Sequence, residues 1–471
     1  MFKKSFIEGI SEVAQEKNIA SSNMMTAIDF WLNLYGGNAP WLKEEDDQSL
    51  GIPAIVAAEV AKSVTLEMEV HVSGSGMGEF LDKQLESFRK DIRTNTEYAC
   101  AGGGITFKPY VSDGRINVEV VSAGAFYPTA FSCTQGITAG YFIYRRWQGK
   151  SIYTRLEKHS LEGTEYTITN KAYKSTVDDS LGKECPLGEI ADWADITPEV
   201  HLSNILSPLF SYFKIPIGNT VEPDSPLGVS VFSRATDLIK EADIQFQRLI
   251  WEYKGGELAI DASTDAFRKD KDGGFRLPER NKRLYRLNNL DAASTNGENL
   301  LKAWAPVLRD ENYMRGLNRI LYQIEDACCL SRGTLSEVQD IAKTATEISA
   351  MKQRTYSQVK DIQMSLEGAL DNLIYAMYCI AVLYKLCPDG KYETSYLWDD
   401  SIIVDSEAER IRDMQEVSQG LMKPWEYRVK WYGEDEATAK RILAEERGMT
   451  DDEILNFKTE TEASEGENPE A

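Results

Sequence analysis

Apolar residues recur at steps of three and four over residues 345–386 without a break. This spacing puts them on one face of a single helix, which at ~1.5 Å per residue is roughly 60 Å long. Thr344 and Glu347 form a Thr-x-x-Glu capping box that predicts the helix start, and Cys387-Pro388-Asp389-Gly390 predicts its end. Either an elongated body or neighbouring copies must cover so long a stripe; the alternative is a scaffold helix inside an ordinary domain. The stripe consists of Ile348, Met351, Thr355, Val359, Ile362, Leu366, Leu370, Leu373, Met377, Ile380 and Tyr384.

The first hundred residues show mainly helical patterns. One amphipathic helix is predicted over residues 1–36, ending at Gly36-Gly37, and a second over 52–63. A strand is predicted over 64–72, because alternation puts Leu66, Met68 and Val70 on one face. Gly74-Ser75-Gly76-Met77-Gly78 interrupts the chain before a helix at 79–94.

Residues 104–174 are rich in β-branched and aromatic residues and predict an antiparallel meander. Asp113-Gly114, Gln148-Gly149 and Glu162-Gly163 supply the turns. Residues 175–224 predict an irregular connection, long enough to wrap a neighbouring molecule. The predicted strands are 105–111, 116–121, 140–147, 151–159 and 166–174.

The second half of the chain predicts helices separated by short strands. Ser225-Pro226 predicts the start of a helix that ends at Gly255-Gly256, with Val231, Ala235, Leu238, Ala242, Phe246, Leu249 and Tyr253 as its stripe. Residues 257–305 contain short strand-like pieces. A helix at 309–329 has Met314, Leu317, Leu321, Ile324 and Cys328 on one face. The remaining predictions are a strand at 396–404 and helices at 406–419, 423–432 and 434–447.

Composition narrows the class of protein. The 471 residues suffice for two to four domains. The net charge of −23 disfavours general adhesion to nucleic acid or anionic membrane. Seven scattered cysteines without a Cys-x-x-Cys pair predict reduced thiols and synthesis in a cytoplasm. No apolar run follows Met1-Phe2-Lys3-Lys4, and the run at 373–384 is shorter than the ~20 residues of a membrane span, so neither export nor membrane insertion is expected.

Nothing in the sequence points to catalysis or to a bound cofactor. His71, His159 and His201 lie far apart and match no metal-binding spacing. The glycine runs at 74–78 and 102–104 lack the lysine and hydroxyl residue that end a phosphate-binding loop, so we interpret them as turns.

Several segments resemble the portal proteins of tailed bacteriophages, in particular those of siphophages and prophages of Gram-positive hosts. SPLGVSVFSRATDLIK at 225–240 and IQFQRLIWEYK at 244–254 are similar to the first stem helix of that family. LSRGTL at 330–335, followed by KTATEIS at 343–349, resembles its motif between the second stem helix and the long wing helix. Gly420-Leu421-Met422-Lys423 and Lys430-Trp431-Tyr432-Gly433 resemble the start of the crown. The likeness runs from Trp31 to about Arg447.

The resemblance implies an α+β portal fold with a wing, a helical stem, a clip and a helical crown. It also implies eight regions: wing 1–224, first stem helix 225–256, clip 257–305, second stem helix 306–330, tunnel loop 331–344, long wing helix and returning strand 345–404, crown 405–448, and a disordered acidic tail 449–471.

The function that the resemblance implies is a ring, typically a dodecamer, at one capsid vertex of the virion. Double-stranded DNA would be packaged and later ejected through the ring, and a partner terminase would supply the energy. Further expected partners are the head–tail adaptor, the major capsid protein and the scaffolding protein. The alternatives are a ring-shaped nucleic-acid-processing enzyme of a phage, or a structural head protein that is not a portal.

A basic cluster in the expected clip is the best candidate for contact with anions. Only Asp270, Asp272 and Glu279 oppose it in the same window, although such a run is often merely a solvated surface. We expect part of it to meet an acidic surface of the terminase or adaptor, or passing phosphates. The cluster consists of Arg268, Lys269, Lys271, Arg276, Arg280, Lys282, Arg283 and Arg286.

The expected tunnel loop has balanced charges, with Arg332 and Lys343 against Glu337 and Asp340. A wall that lets DNA slide must not grip it, since every phosphate contact adds salt-sensitive affinity. Lys343 precedes a helix start, where anions are favoured. We therefore expect Lys343 and Arg332 to contact phosphates transiently; the alternative is that Lys343 pairs with a carboxylate of a neighbouring subunit. Asp237, Lys240, Glu241 and Arg248 of the stem either line the channel or join subunits.

Overall fold

The computed structural model divides the chain into two compact units. The first comprises residues 1–343 and 351–398, and the second comprises 344–350 and 399–471. The residues that the structure describes are 6, 9–10, 12, 19–43, 47–66, 68–178, 180–256, 259–263, 284–288, 301–304, 307–337, 345–398, 406–434 and 436–446.

Among the described residues, the first unit begins with isolated helical positions at 6, 9, 10 and 12, which are followed by α1 (Ser22–Tyr35), α2 (Ile52–Thr65), α3 (Gly76–Lys90) and α4 (Ile92–Gly102). The prediction of one helix up to residue 36 is wrong, because α1 starts anew at Ser21, whose side chain accepts a hydrogen bond from the Met24 N–H.

The helix predicted over 79–94 is two helices, α3 and α4. The backbone leaves helical geometry at Asp91, where φ is −101° and ψ is 4°. Gly103 then ends α4 with φ +87°, and a Cβ there would lie 2.5 Å from the Gly228 carbonyl oxygen. Glycine is therefore required at Gly103 by both conformation and space.

The predicted meander is two antiparallel sheets rather than one. Its first two strands, β2 (Gly104–Ser112) and β3 (Arg115–Ser122), form a three-stranded sheet with β10 (Ser211–Lys214). A short turn at Ala123–Ala125 separates them from the six-stranded sheet. That sheet has the order β4–β5–β6–β7–β8, with β9 also paired to β7. Its strands are β4 (Phe126–Ser132), β5 (Gly136–Gln148), β6 (Ser151–Glu162), β7 (Glu165–Ser175), β8 (Lys183–Cys185) and β9 (Glu199–Leu202).

The three predicted turns and the irregular segment 175–224 are confirmed, although that segment also contributes β8, β9 and β10. Aromatic side chains form the core beneath the six-stranded sheet: the ring of Phe142 lies 5.0 Å from that of Phe126 and 5.5 Å from that of Phe210. Beside them, Lys108, Arg155, Glu157 and His159 are all buried.

The helix α5 (Thr236–Gly255) begins eleven residues after the predicted start at Ser225. Residues 225–232 are held instead by the end of α4, since Val231 N–H and Ser230 Oγ both donate to the Cys100 carbonyl, over 3.0 and 3.1 Å. These long-range hydrogen bonds override the local Ser-Pro start signal.

The helix α6 (Asp310–Ala327) packs against α5 to form a hairpin. The segment of the chain that connects the two helices forms a three-stranded sheet, ordered β12–β11–β13. Its strands are β11 (Ala259–Ser263), β12 (Leu284–Asn288) and β13 (Leu301–Trp304). The strand-like pieces predicted for 257–305 are thus confirmed. In α6, Leu317, Ile324 and Cys328 of the predicted stripe are buried, whereas Met314 is 40% exposed.

The predicted long helix is confirmed as α7 (Ala345–Leu383), with 39 residues. Val359, Ile362, Leu366, Leu370, Leu373 and Met377 are each at most 2% exposed. Tyr384 lies beyond the helix end and is 59% exposed, and Thr344 of the predicted cap lies outside the described residues. After α7, β14 (Tyr392–Trp398) pairs antiparallel with β1 (Met68–Gly74). The first strand is displaced from its predicted limits because α2 extends to Thr65, and β14 begins four residues before its predicted start at residue 396. Residues 399–404 of that prediction lie outside the described residues.

By length and composition, the segment Thr355–Leu383 of α7 could cross a membrane. The sequence predicts no such segment when only the shorter apolar run at 373–384 is taken into account. Half of its most apolar window is buried inside the protein. Its polar groups also serve the fold: Ser365 Oγ donates to the Lys214 carbonyl, and Ser211 Oγ donates to the Ala369 carbonyl, each over 2.5 Å. A core helix accounts for the same composition.

The second unit contains the three short helices that the pattern predicts: α8 (Ser406–Gln419), α9 (Pro424–Tyr432) and α10 (Glu436–Glu446). Gly420 and Gly433 make the turns with φ of +76° and +64°. Trp431 Nε1 donates to Asp413 Oδ2 over 2.8 Å and so links α9 to α8. The acidic tail at 449–471 lies outside the described residues.

Candidate functional site: the loop after α6

The buried carboxylate of Glu325, in the last turn of α6, holds the loop that follows the helix. Its Oε1 accepts hydrogen bonds from the N–H groups of Gly333, Leu335 and Ser336, over 3.1, 2.7 and 2.9 Å. Ser336 Oγ lies 2.8 Å from Oε2. Glu325 is 0% exposed, and such burial of a carboxylate is tolerated only when hydrogen bonds replace its water.

Two further contacts of α6 hold residue 337. Asn318 Oδ1 accepts from the Glu337 N–H over 2.9 Å, and Tyr322 OH donates to the Glu337 carbonyl over 2.9 Å. The described part of the loop is therefore attached to α6 over about two turns of that helix.

The loop is also attached to α7 through Thr355. The Thr355 hydroxyl donates to the Cys329 carbonyl over 3.0 Å, and its oxygen lies 3.1 Å from Ser331 Oγ. Gly333 has φ +92°, a conformation that residues with a side chain rarely adopt. The turn at Gly333 thus brings the following N–H groups back onto Glu325.

The structure describes two of the four charged residues of the expected tunnel loop. Arg332 is on the surface, with Nη2 3.4 Å from Asp326 Oδ2, and an exposed pair of this kind leaves the guanidinium available to other anions. Glu337 is also exposed. Asp340 and Lys343 lie outside the described residues, so their predicted roles stay predictions.

The basic cluster of the expected clip falls mostly outside the described residues: Arg268, Lys269, Lys271, Arg276, Arg280, Lys282 and Arg283. Arg286 is on β12, in register with Asp261 of the parallel neighbour β11.

Glu252 and Arg309 close the α5–α6 hairpin at the end from which the three-stranded sheet leaves. Arg309 Nη2 donates to Glu252 Oε2 over 2.8 Å, and Nε donates to Oε1 over 3.1 Å. Hydrogen bonding to the Arg309 guanidinium lowers the pKa of Glu252 below its ordinary value.

The rest of the hairpin surface mixes charged and apolar side chains. Asp237, Lys240, Glu241 and Arg248 are all exposed on α5. Trp251 is 69% exposed and Val307 is 90% exposed.

The loop before α2 is attached to α5 by a buried carboxylate as well. Asp243 accepts from Trp41 Nε1 and from the Leu50 N–H, both over 2.8 Å, and from Ser49 Oγ over 3.1 Å. Asp243 and Glu325 were not identified from the sequence. The partners of Glu325 are mainly backbone N–H groups, which no residue type reveals, and its only local hint is the Gly333–Ser336 turn. The partners of Asp243 lie far away in the sequence, at Trp41, Ser49 and Leu50.

Among the described residues, no group of three or more His, Cys, Asp or Glu side chains could hold a metal ion. A groove of about 510 Å³ on the six-stranded sheet is lined by Lys158, Lys171, Thr169 and Tyr173, among others. His71 and His201 are exposed and lie beside Glu69 and Glu199, whereas His159 is buried, so the three histidines form no common site.

Comparison with known proteins extends over both units. The family model described as phage portal protein, SPP1 Gp6-like, matches residues 79–451, about four fifths of the chain. A solved structure titled "Neck of native GTA particle computed with C12 symmetry" is similar, with a TM-score of 0.42 and 10% identity, over 89% of this chain and 97% of that chain. No curated protein sequence matches significantly.

Proposed function

The chain belongs to the SPP1 Gp6-like family of phage portal proteins, and on this premise we propose that it forms a ring at one capsid vertex through which double-stranded DNA is packaged and ejected. The match over residues 79–451 is the observation that carries the proposal. A portal protein is a structural component of the virion, and the ring would depend on the terminase for energy.

The regions that we propose follow the resemblance. The wing consists of 1–224 together with the long helix and returning strand at 345–404. The hairpin of α5 and α6 is the stem, and the three-stranded sheet within 257–305 belongs to the clip. The loop at 331–344 is the tunnel loop, and the three short helices within 405–448 form the crown. Support comes from the element order, in which two packed helices flank a small sheet.

Ring formation gives a physical role to the exposed apolar residues of the stem. Trp251, Val307 and Met314 are 69%, 90% and 40% exposed in one chain. Head-to-tail packing of identical chains closes a ring when the rotation between them divides the circle, typically into twelve for this family. Burial of these side chains against the next copy contributes about 25 cal/mol per Å² of apolar surface, and an obligate interface of this kind exceeds ~2,000 Å².

Passage of DNA requires a wall that guides the duplex but does not grip it. In the tunnel loop we propose that Arg332 and Lys343 contact phosphates transiently and that Glu337 and Asp340 keep the contact weak. The excess of acidic residues over the whole chain, with a net charge of −23, agrees with weak retention of DNA.

The clip is the proposed docking site for the terminase and later for the head–tail adaptor. Its basic cluster from Arg268 to Arg286 would meet acidic surfaces of those partners. The wing and crown would contact the major capsid protein and the scaffolding protein.

Electron microscopy of the purified full-length protein tests the proposal. We expect end-on views of a closed ring with a central channel wide enough for a DNA duplex, and no nuclease or ATPase turnover in the same preparation. A protein that stays monomeric over a wide concentration range, or a catalytic activity that copurifies with it, would overturn the proposal.

A further inference from the structure

We propose that Glu325 is the positioning residue of the tunnel loop. Its buried carboxylate holds residues 333–336 in one conformation and thereby sets where Arg332 is presented to passing DNA. This inference rests on the proposed function, because the loop matters for DNA only if the ring is a channel.

The hydrogen-bond capacity of the carboxylate matches what the loop offers. An ionised carboxylate has about four acceptor positions and no donor. Three backbone N–H groups and one hydroxyl, from Gly333, Leu335 and Ser336, fill these positions over 2.7 to 3.1 Å. Because three residues within one four-residue turn share the acceptor Oε1, the loop cannot shift without breaking several of these bonds together.

Helix stability does not explain an acidic residue at this place. Glu325 lies in the last turn of α6, where the carbonyl ends of the helix dipole disfavour negative charge. Every hydrogen bond described for its side chain comes from the loop. The carboxylate therefore stabilises the loop conformation rather than the helix that carries it.

The substitution Glu325→Gln removes the negative charge of the side chain and keeps nearly the same shape. Glutamine is nearly isosteric but uncharged: its oxygen can keep the three N–H bonds of Oε1 as weaker neutral bonds, and its NH₂ group then takes the place of Oε2 opposite the Ser336 hydroxyl. Ser336→Ala removes a single donor and serves as the milder variant. Glu311→Gln is the matched control, since Glu311 is an exposed glutamate in the first turn of the same helix.

Hydrogen exchange on assembled full-length rings tests the local part of the proposal. In Glu325→Gln we expect exchange at residues 330–337 to be at least about ten-fold faster, since three hydrogen bonds to a charged acceptor become weaker neutral ones. Exchange in β6 should be unchanged, Glu311→Gln should match the wild type, and Ser336→Ala should be intermediate.

The amount of DNA packaged per incorporated ring tests the functional part. We expect about a ten-fold loss in Glu325→Gln rings that assemble normally, because the same weakened hydrogen bonds loosen the loop. Glu311→Gln should package normally. Unchanged loop exchange, or a loosened loop with normal packaging, would overturn the proposal. Failure of the wild-type ring to package any DNA would instead refute the proposed function. If Glu325→Gln does not assemble, Ser336→Ala decides the outcome by the same two measurements.

Discussion

Lys108 of β2 and Glu157 of β6 form a buried ion pair that joins the two antiparallel sheets, with Nζ 2.8 Å from Oε1. Glu119 lies 3.0 Å from the same ammonium group. On the other side of Glu157, Arg155 Nη1 donates to Oε2 and His159 Nε2 lies beside Oε1, each at 2.8 Å. Each of these charges depends on its neighbours, because a buried charge without a partner is unfavourable.

Replacing Lys108 by methionine should therefore strongly destabilise the two sheets that it joins. The change leaves Glu119 and Glu157 without their shared cation, and breaking a buried pair in this way costs about 3–5 kcal/mol of unfolding free energy. Chemical denaturation followed by tryptophan fluorescence measures the loss. Lys150→Met, in the exposed turn after β5, is the control, and equal stability of the two variants would contradict the prediction.

The same cluster predicts that acid destabilises the protein. Burial lowers the pKa of His159 below 6.5, Lys108 and Arg155 lower it further, and Glu157 opposes them. Tyr166 OH lies 2.7 Å from Nδ1, and the rings of Phe142 and Phe210 also face the imidazole.

The direction of the pH dependence follows from the linkage between proton binding and folding. A histidine whose folded pKa is lowered stabilises the fold fully above its unfolded pKa, and this contribution is lost as the pH falls below about 6.5. The pKa of Glu157 is also lowered: burial alone would raise it, but His159, Lys108 and Arg155 prevail. Its contribution is lost as the pH falls below 4.5.

Melting temperatures between pH 8 and pH 5 test this dependence. We expect a decline that begins near the unfolded pKa of histidine, about 6.5, and that is shallower in His159→Gln. His71→Gln, an exposed histidine on β1, should leave the slope unchanged. A melting temperature that is constant from pH 7 to pH 5 in the wild type would count against the prediction.

Periodicity predicted much of this fold. The buried residues of α7, from Val359 to Met377, were identified because one stripe repeats over ten turns. The split of the strands into two sheets was not predicted, because alternation shows which face of a strand a residue lies on but not which strands pair with each other. The start of α5 was missed for a similar reason: Val231 and Ser230 bond to Cys100, far away in the sequence.

The candidate site was predictable only in outline. Residue types at 331–337 indicate a polar loop between two helices, and Arg332 is described there. That Glu325 is buried under the loop depends on backbone N–H groups folding back at Gly333. Burial of this kind arises from loop geometry, which a residue pattern does not encode.

Exposed apolar residues of the stem should control ring assembly. We expect the double substitution Trp251→Ser and Val307→Ser to leave the chain folded but to shift rings toward smaller species, because the buried apolar area per interface falls. Sedimentation velocity measures the distribution between rings and smaller species. Trp147→Ser, with 65% exposure on β5, is the control, and intact rings in the double variant would contradict the proposed stem interface.

Reversing the charge of Lys343 tests the tunnel loop. If Lys343 contacts phosphates, Lys343→Glu should reduce packaging in rings that assemble normally, since one transient attraction becomes a repulsion. The salt dependence of the packaging rate distinguishes phosphate contact from the alternative, in which Lys343 pairs with a carboxylate of a neighbouring subunit. In the latter case ring stability falls, and packaging per intact ring stays normal.

Neutralising part of the clip should weaken docking of the terminase or the adaptor. Replacing Arg280, Lys282 and Arg283 by glutamine removes three of the eight basic residues between 268 and 286. Charges at the rim of an interface act mainly on the association rate and on its salt dependence. We therefore expect association about ten-fold slower at low salt, with the difference from the wild type narrowing as screening increases. Surface plasmon resonance with assembled rings measures the association rate and its dependence on salt.

The control for this experiment must remove the same charge from a different surface. Lys150, Lys171 and Lys183 are exposed on the six-stranded sheet and its turns, and their replacement by glutamine changes the net charge equally. If both triple variants slow association to the same degree, the effect reflects overall charge rather than the clip. If the clip variant binds like the wild type at every salt concentration, the basic cluster is a solvated surface and the docking site lies elsewhere on the ring.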